Sequence, residues 1–363
     1  ILLLASLIFY AWGAPKFVFF LIGSTFVDFF IAKSIWKTTL EKTKKLLLFG
    51  SISFNVGVLL YFKYTNFFID NFNELFSSFG MSIPHLDVLL PIGISFYTFQ
   101  TITYLVDVYR GEQKPQSNPI NYLLYIFMFP QLIAGPIVNY GAVAKEITDR
   151  KETVNQKITG LIRFCIGLAK KVLIANVLGE QADAIFGLDA SQLNVFNTWM
   201  GALFYTLQIY FDFSGYSDMA IGLGQVFGFK FPENFDNPYT SRTISEFWRR
   251  WHITLGYFMR NYLYIPLGGN RGSVWFTGRN LMLTMLLGGL WHGAAWTFVL
   301  WGFLHGMYLL IERLLGQIKW PEIIQAALFQ WVLSIVTFIF VMWAFVVFRA
   351  DDLTQVKDMF NAM

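Results

Sequence analysis

Two histidines stand inside a long apolar stretch, residues 281–310, which contains no Asp, Glu, Lys or Arg. An ionisable ring at membrane depth is energetically costly, so it is a candidate for function. His292 lies in the segment GGLWHGAA, whose glycines let a ligand or another helix approach the backbone closely. A neutral imidazole can take a proton from an alcohol near neutral pH, so His292 could be the general base of acyl transfer to a hydroxyl. A histidine that only hydrogen-bonds a neighbouring helix fits the same position equally well.

The second histidine of this stretch, His305, lies about 220° further around an ideal helix than His292. The two rings cannot share one face unless the helix breaks between them. We therefore expect His305 to pack against other side chains or to support the site rather than to react.

A third histidine, His252, follows the segment EFWRRW at residues 246–251. If this segment is helical, Glu246 can pair with Arg249 or Arg250 at the i+3 or i+4 spacing. Two arginines beside two tryptophans would form a cationic site with aromatic walls, able to hold phosphate or pyrophosphate. An arginine and tryptophan cluster at the membrane interface, without any ligand, is the simpler interpretation.

The sequence lacks the motifs of several other kinds of active site and metal site. The chain has no G-x-S-x-G nucleophile elbow, no Walker loop and no H-E-x-x-H zinc pair. Its single cysteine, Cys165, excludes disulfides within the chain and any cysteine metal motif. The fourth histidine, His85, follows Pro84 in a turn-like segment and has no metal-type partner nearby. We expect neither a bound metal nor a bound cofactor.

The composition indicates that membrane helices position these residues. Of the 363 residues, 55% are hydrophobic and only 14% are charged, and the mean hydropathy is +0.50. A soluble domain averages about 45–50% apolar and about 25% charged residues. Apolar runs recur from end to end, so we expect one polytopic membrane domain over residues 1–363. The net charge of +4 is spread over loops, which fits basic cytoplasmic segments better than nucleic-acid binding.

The apolar runs predict roughly ten membrane-embedded helices, some of them short or broken. Residues 46–62 and 323–348 are clear spans, and residues 66–79 predict a separate helix lying in the membrane interface. Residues 122–138 contain two prolines in an apolar run, which predicts broken helices that line a buried cavity.

A polar segment follows the predicted span at residues 196–211. Its carboxylates could bind an ion or face a polar funnel, or Asp218 could cap a separate helix over residues 219–227. The arginine-rich region at residues 234–280 predicts short amphipathic or re-entrant helices. Pro266 and the glycines after it would end the last of these helices.

These segments resemble a known family. EFWRRWHITLGYFMRNYLYIPLGGN at residues 246–270 and LLGGLWHGAAWTFVLWGFLHG at residues 286–306 are similar to the membrane-bound O-acyltransferase family, in particular to its bacterial alginate O-acetyltransferase-like branch. Supporting similarities are LLLASLIFYAWGAPKF at the start, SFYTFQTITYLVDVYRG at residues 95–111, FPQLIAGPI at residues 129–137 and YFDFSGYSDMAIGLG at residues 210–224. The resemblance covers nearly the whole chain, and its combined motifs are highly specific.

The resemblance implies an all-α membrane fold whose helices ring a central tunnel. It implies that His292 is the catalytic base and that His252 is the second active-site residue, both near the middle of the tunnel. We expect substrate to contact neighbours of these histidines: Trp248, Trp291, Arg249, Arg250 and Asn261. The chain departs from the family pattern at Gly256, where serine is expected, and at Asn261, where aspartate is expected. It also lacks the usual first helix and ends short of the helices of larger relatives, so we expect both ends to be truncated.

The resemblance also implies the substrates and the location. An acyl thioester, acetyl-CoA, would enter from the cytoplasmic side of a bacterial inner membrane, and an acceptor hydroxyl from the other side. Relatives act with a periplasmic or extracellular serine hydrolase-like partner that places the acetyl group on an exopolysaccharide. One alternative within the family is transfer of D-alanine or another acyl group to a cell-wall polymer or a protein. A transporter or channel is the alternative from another class, suggested by the broken helices.

Overall fold

The structure, a computed structural model, describes residues 1–317 and 327–363. These residues form helices and turns and contain no β-strand, which confirms the all-α prediction. The α-helices of the first half are α1 (Leu2–Gly13), α2 (Val18–Lys37), α3 (Glu41–Phe76), α4 (Ile94–Arg110), α5 (Pro119–Phe127), α6 (Phe129–Leu132), α7 (Tyr140–Thr148) and α8 (Val154–Ala169). Those of the second half are α9 (Asn176–Phe186), α10 (Val195–Val226), α11 (Ile244–Arg250), α12 (Ile253–Phe258), α13 (Val274–His292), α14 (Trp296–Leu315), α15 (Ala327–Arg349) and α16 (Leu353–Ala362).

Four helical segments among the described residues are long and apolar enough to cross a membrane: α2, α3 with its extension to Phe79, α14, and Leu328–Arg349 within α15. Their number makes the chain a multi-pass membrane protein. The last predicted span, residues 323–348, begins outside the described residues, and α15 begins at Ala327. The count of roughly ten embedded helices around a tunnel stays a prediction.

The prediction of a separate interface helix over residues 66–79 was wrong, because α3 runs without a break over 36 residues. The polar residues in its second half bind the extended segment that follows. Asn66 donates from Nδ2 to the carbonyl of Leu86 and accepts from its amide, both at 3.0 Å. Asn73 forms the same pair of bonds with Ile83. A polar face that pairs with protein backbone has the same helical spacing as one that faces lipid headgroups, so the sequence pattern could not separate the two.

The prediction that Asp218 caps a separate helix was also wrong, because α10 is one helix of 32 residues and Asp218 lies well inside it. The Asp218 carboxylate accepts from Lys170 at 2.6 Å and from Arg163 at 2.8 Å. Arg163 also binds Glu233, and together the two carboxylates raise the pKa of its guanidinium. Asp218 of α10 therefore pairs with Arg163 inside α8 and with Lys170 directly after it.

The described residues group into two compact units by their internal contacts. The first comprises Ile1–Ile162 and Ala220–Pro232, and the second comprises Arg163–Met219 and Glu233–Met363. Every residue that the sequence predicts for the site belongs to the second unit. A single domain over residues 1–363 stays a prediction.

The first unit contains the predicted helix break at residues 122–138. Helix α5 ends at Phe127 and the short α6 follows, as the prolines indicate. Side chains bind the backbone groups that the break leaves without helical partners. Tyr125 donates its hydroxyl to the carbonyl of Val138 at 2.9 Å, and Gln131 donates to the carbonyl of Tyr125 at 2.9 Å. Protein groups thus satisfy this irregular backbone.

In the second unit, the long apolar stretch is two antiparallel helices rather than one. Helix α13 ends at His292, and α14 begins at Trp296. A Cβ atom added to Gly289 would lie 2.2 Å from the carbonyl oxygen of Phe298, and one added to Gly302 would lie 2.4 Å from that of Met285. Such contacts are closer than any real side chain tolerates. Glycines therefore let the two helices of this hairpin, α13 and α14, pack backbone against backbone.

Candidate active site

His292 is the last residue of α13, so its ring lies where the hairpin turns. Three aromatic rings surround it. The distances between ring centroids are 4.8 Å to Trp291, 5.1 Å to Trp301 and 5.0 Å to Phe348. The turn itself leaves no room for a larger residue, because a Cβ atom on Gly293 would lie 2.0 Å from the ring of Phe298. Packing against these three aromatic rings fixes the position of the His292 imidazole.

The His292 ring lines a cavity of about 420 Å³, called here the His292 cavity. Most of the other lining residues are apolar or aromatic and come from α11 to α14; among them are Trp248, Leu255, Leu281, Met285, Trp301 and Leu309. Two glycines widen the cavity. A Cβ atom on Gly288 would meet only the terminal methyl of Met259 at 3.9 Å, and one on Gly256 only the carbonyl oxygen of Trp248 at 3.4 Å. The departure from serine at Gly256 therefore adds space to the cavity.

Two arginines line the His292 cavity, Arg249 at the end of α11 and Arg260 in the π-helical turn Met259–Tyr264. Both are exposed, and among the described residues neither guanidinium pairs with a carboxylate. Of the predicted arginine pair, Arg250 does not line this cavity, and its guanidinium pairs with Glu246 at 2.8 Å. The sequence analysis missed Arg260, since nothing in its local pattern indicates that the turn after α12 brings it to the same cavity as Arg249.

His252 lies between α11 and α12 and is 1% exposed. Its backbone has φ 43°, in the left-handed region, where a residue other than glycine is strained by about 1–3 kcal/mol. His252 lies outside the four apolar spans. Burial and the neighbouring His292 lower the pKa of His252 well below its usual value. Its ring packs edge-on against Phe213 at 4.7 Å. The imidazole is therefore neutral and fixed in place.

Asn234, which the sequence analysis also missed, holds the turn that carries His252. Its side-chain oxygen lies 3.0 Å from Nδ1 of His252 and accepts from the amide and the hydroxyl of Thr254 at 3.3 and 3.0 Å. Its backbone carbonyl accepts from the amide of Ile253 at 3.0 Å. The segment PENFDN around Asn234 has no apolar pattern or motif that predicts these long-range contacts.

The other predicted site residues have different surroundings. Trp291 lies between the two histidines, with its ring 4.8 Å from His292 and 6.1 Å from His252. Asn261 donates its side-chain amide to the carbonyl of Tyr257 at 3.0 Å and is not among the residues lining the His292 cavity.

The remaining histidine of the hairpin, His305, is fully buried beside this cavity. Its Nδ1 accepts a hydrogen bond of 3.3 Å from the indole of Trp248, and its ring stacks on Phe247. Because the hairpin turns after His292, both His292 and His305 pack against the same residue, Trp301, at 5.1 and 4.7 Å. The helix break between His292 and His305, without which the two rings could not share a face, is thus present. His305 contacts two residues of the cavity wall, Trp248 and Trp301.

Comparison with known proteins decides the family. The family model described as MBOAT, membrane-bound O-acyltransferase family, matches residues 112–350. The chain belongs to the MBOAT family. The resemblance seen in the sequence is confirmed, and the chain is a membrane O-acyltransferase.

Relatives with known names extend this finding beyond the matched range. The MBOAT chain is 46% identical over 368 residues to the probable alginate O-acetylase AlgI of Pseudomonas aeruginosa, a match that covers 100% of this chain and 69% of that protein. It is 41% identical over 396 residues to the peptidoglycan O-acetyltransferase of Helicobacter pylori, covering 100% of this chain and 73% of the other. It is 29% identical over 287 residues to the teichoic acid D-alanyltransferase of Bacillus subtilis, covering 73% and 70%. The alternative of a transporter or channel is set aside.

Proposed function

We propose that this MBOAT protein transfers an acetyl group from a cytoplasmic thioester, acetyl-CoA, to a hydroxyl of an exopolysaccharide or cell-envelope glycan. The observation that carries the proposal is a histidine, His292, at an apolar cavity that two arginines also line, neither of which pairs with a carboxylate among the described residues. The names of the relatives support the acetyl group and the glycan, since those with 46% and 41% identity are an alginate O-acetylase and a peptidoglycan O-acetyltransferase.

In this mechanism His292 is the general base. Its imidazole takes the proton of the acceptor hydroxyl as the hydroxyl oxygen attacks the thioester carbonyl carbon. A C–O bond forms, the C–S bond breaks, and the thiolate leaves with the proton that His292 accepted. The apolar lining of the cavity excludes water, which would otherwise hydrolyse the donor. His252 orients the acceptor or donor. Trp248 forms an aromatic wall of the cavity, and Trp291 packs between the two histidines.

Arg249 and Arg260 bind the phosphates of the donor. A coenzyme A thioester has an anionic nucleotide end, an apolar to weakly polar arm and the reacting carbonyl at the tip. The His292 cavity offers the matching kinds of group, namely two exposed guanidinium groups, an apolar lining and an imidazole. Guanidinium groups bind phosphate through charge-assisted and often bidentate hydrogen bonds. Arg250, paired with Glu246, has no part in this site.

The acceptor side involves a second protein. We carry over from the family resemblance a serine hydrolase-like partner on the periplasmic or extracellular face, which passes the acetyl group to the polysaccharide, and a location in the bacterial inner membrane. Transfer of D-alanine to a cell-wall polymer is the second candidate, favoured only by the 29% identity to the teichoic acid D-alanyltransferase.

The experiment measures transfer of labelled acetyl groups from acetyl-CoA in membranes that contain the protein, for wild type, His292→Ala and His292→Gln. We expect both substitutions to lower the rate by about 10²–10⁴-fold, the usual contribution of a general base. His85→Gln is the matched control, because His85 is exposed and pairs only with Asp70 among the described residues. Full acetyl transfer by either His292 variant would overturn the assignment of the base. Transfer of D-alanyl groups but not acetyl groups by the wild type would favour the second candidate.

A further inference from the structure

Asn234 forms an unusually complete set of hydrogen bonds around a buried histidine. Its side chain is 1% exposed. The side-chain oxygen faces three donors on residues 252–254, namely His252 Nδ1, the Thr254 amide and the Thr254 hydroxyl. The side-chain nitrogen donates to the hydroxyl of Ser217 on α10 at 3.1 Å. The amide oxygen thus accepts and the amide nitrogen donates, so the hydrogen bonds at both ends fit the same orientation of the Asn234 side chain.

This orientation determines the protonation of the imidazole. An amide oxygen can only accept, so Nδ1 of a neutral His252 must carry the hydrogen that lies in the 3.0 Å contact. Its Nε2 then bears a lone pair and no hydrogen. Nε2 is buried and has no hydrogen-bond partner among residues 1–317 and 327–363. A buried polar atom is costly without a hydrogen-bond partner, so Nε2 is a position where a donor group of a substrate would bind favourably.

We infer that Asn234 is a positioning residue of the active site: it holds His252 in the Nδ1–H tautomer and thereby presents Nε2 as a hydrogen-bond acceptor for a hydroxyl or N–H group of a substrate. The strained backbone of His252, with φ 43°, is held by the same residue, because the carbonyl of Asn234 binds the amide of Ile253 directly after it. Asn234 therefore fixes both the ring orientation and the backbone from which the ring projects.

His305 provides an opposite case within the same chain. Its Nδ1 accepts from the indole of Trp248, and an indole N–H can only donate. A neutral His305 must therefore carry its hydrogen on Nε2. The geometry thus assigns the Nδ1–H tautomer to His252 and the Nε2–H tautomer to His305. The NMR signals of one histidine can therefore be compared with those of the other.

The first test is a ¹⁵N NMR spectrum of the full chain in lipid, with label in histidine only. The chain has four histidines, so a His252→Gln spectrum is enough to assign the His252 signals and a His305→Gln spectrum those of His305. We expect the Nδ1–H tautomer for His252 in the wild type and its loss in Asn234→Leu. Nε2–H at His252 in the wild type, or an unchanged tautomer in Asn234→Leu, would overturn the inference. This readout needs no catalysis, so it stands even if the proposed acetyl transfer fails.

The second test is kinetic and rests on the proposed function. We expect Asn234→Leu to lower kcat by about 10²-fold and to change KM for acetyl-CoA by less than about twofold. Asn234→Asp keeps an accepting oxygen, so it should retain more activity and the Nδ1–H tautomer. Thr254→Val is the matched control, because it removes another donor to the same oxygen and leaves the His252 contact in place. If Thr254→Val lost as much kcat as Asn234→Leu, the role would be structural and the inference wrong. If Asn234→Leu does not fold, the wild-type and Asn234→Asp spectra decide.

Discussion

Gly289 and Gly302 face each other across the α13–α14 hairpin so closely that a Cβ atom on Gly289 would lie 3.2 Å from both the Cα and the nitrogen of Gly302. The two helices therefore touch through their backbones three residues before the candidate base, His292. This contact fixes where α13 ends and hence where the imidazole enters the cavity.

Neighbouring glycines of α13 provide a matched pair of substitutions. Gly289→Ala places a methyl group 2.2 Å from the carbonyl oxygen of Phe298, so the hairpin must open. We expect a loss of about 1–3 kcal/mol in the free energy of unfolding, as for other overpacked sites. Gly288→Ala meets nothing closer than 3.9 Å, and alanine favours the helix by about 0.5–1 kcal/mol. Thermal unfolding in detergent should therefore show a lower Tm for Gly289→Ala and an equal or higher Tm for Gly288→Ala. Equal Tm values for wild type and Gly289→Ala would contradict the packing described here.

The two cavity arginines should affect donor binding more than chemistry. We expect Arg249→Gln and Arg260→Gln each to raise KM for acetyl-CoA roughly tenfold with little change in kcat, because each removes charge-assisted bonds to phosphate. Arg250→Gln, whose guanidinium pairs with Glu246, should leave KM unchanged. The measurement is initial rate against donor concentration.

An acetyl thioester of pantetheine, which has no phosphate, is the control donor for these arginine variants. With this donor the KM of wild type should already be high, and Arg249→Gln should add nothing to it. A similar rise in KM with and without phosphate would show that the arginines act on the shape of the cavity instead.

Trp248 and His305 should be energetically coupled. Trp248→Phe removes the indole that donates to Nδ1 of His305 and leaves a buried acceptor unsatisfied, so we expect a loss of about 1–3 kcal/mol. His305→Phe removes the other partner. A double-mutant cycle followed by thermal unfolding should give a double variant that is less destabilised than the sum of the single variants. Strict additivity would contradict a direct interaction.

Asp218 and Asp212 of α10 test the difference between partly buried and exposed ion pairs. The Asp218 side chain is 16% exposed and binds both Arg163 and Lys170. The Asp212 side chain is 42% exposed and, within the part of the chain that the structure describes, pairs with Lys171. We expect Asp218→Asn to lose about 1–3 kcal/mol, since Lys170 loses its carboxylate and Arg163 keeps only Glu233. Asp212→Asn should lose about 0–1 kcal/mol, as surface pairs do. Chemical denaturation of both variants would measure the contrast, and an equal effect would mean that burial does not govern these pairs.

The sequence predicted the parts of this protein that depend on local pattern. The proline-broken run at residues 122–138 and the short helices around His252 follow from proline, glycine and arginine positions that act within a few residues. Apolar runs of bilayer length predicted the spans within α3 and α15 for the same reason. The histidine in GGLWHG was singled out as a candidate because a polar ring in such a run is costly, and its role stays a prediction.

The parts that depend on tertiary contact were missed. Asn234 reaches His252 only because its segment passes beside residues 250–254, and Arg260 joins Arg249 only because a π-helical turn redirects the chain after α12. The continuity of α3 was missed because a helix that binds an extended segment and a helix that lies on lipid have the same spacing of polar residues. The spacing of residue types in a single sequence does not predict which distant residues will be in contact.

The end of α13 at His292 has a consequence for the charge that arises during transfer. The last carbonyl groups of a helix have no partners within it, and together they act as roughly half a negative charge at its carboxyl end. In the proposed mechanism His292, at this end of α13, becomes positively charged when it takes the proton of the acceptor. A cation at the carboxyl end of a helix is stabilised by about 0.3–1 kcal/mol, or more when partly buried. In the middle of a continuous helix the same ring would gain nothing from the backbone. Because α13 ends at His292, its helix dipole would stabilise the imidazolium that the proposed mechanism forms at this residue.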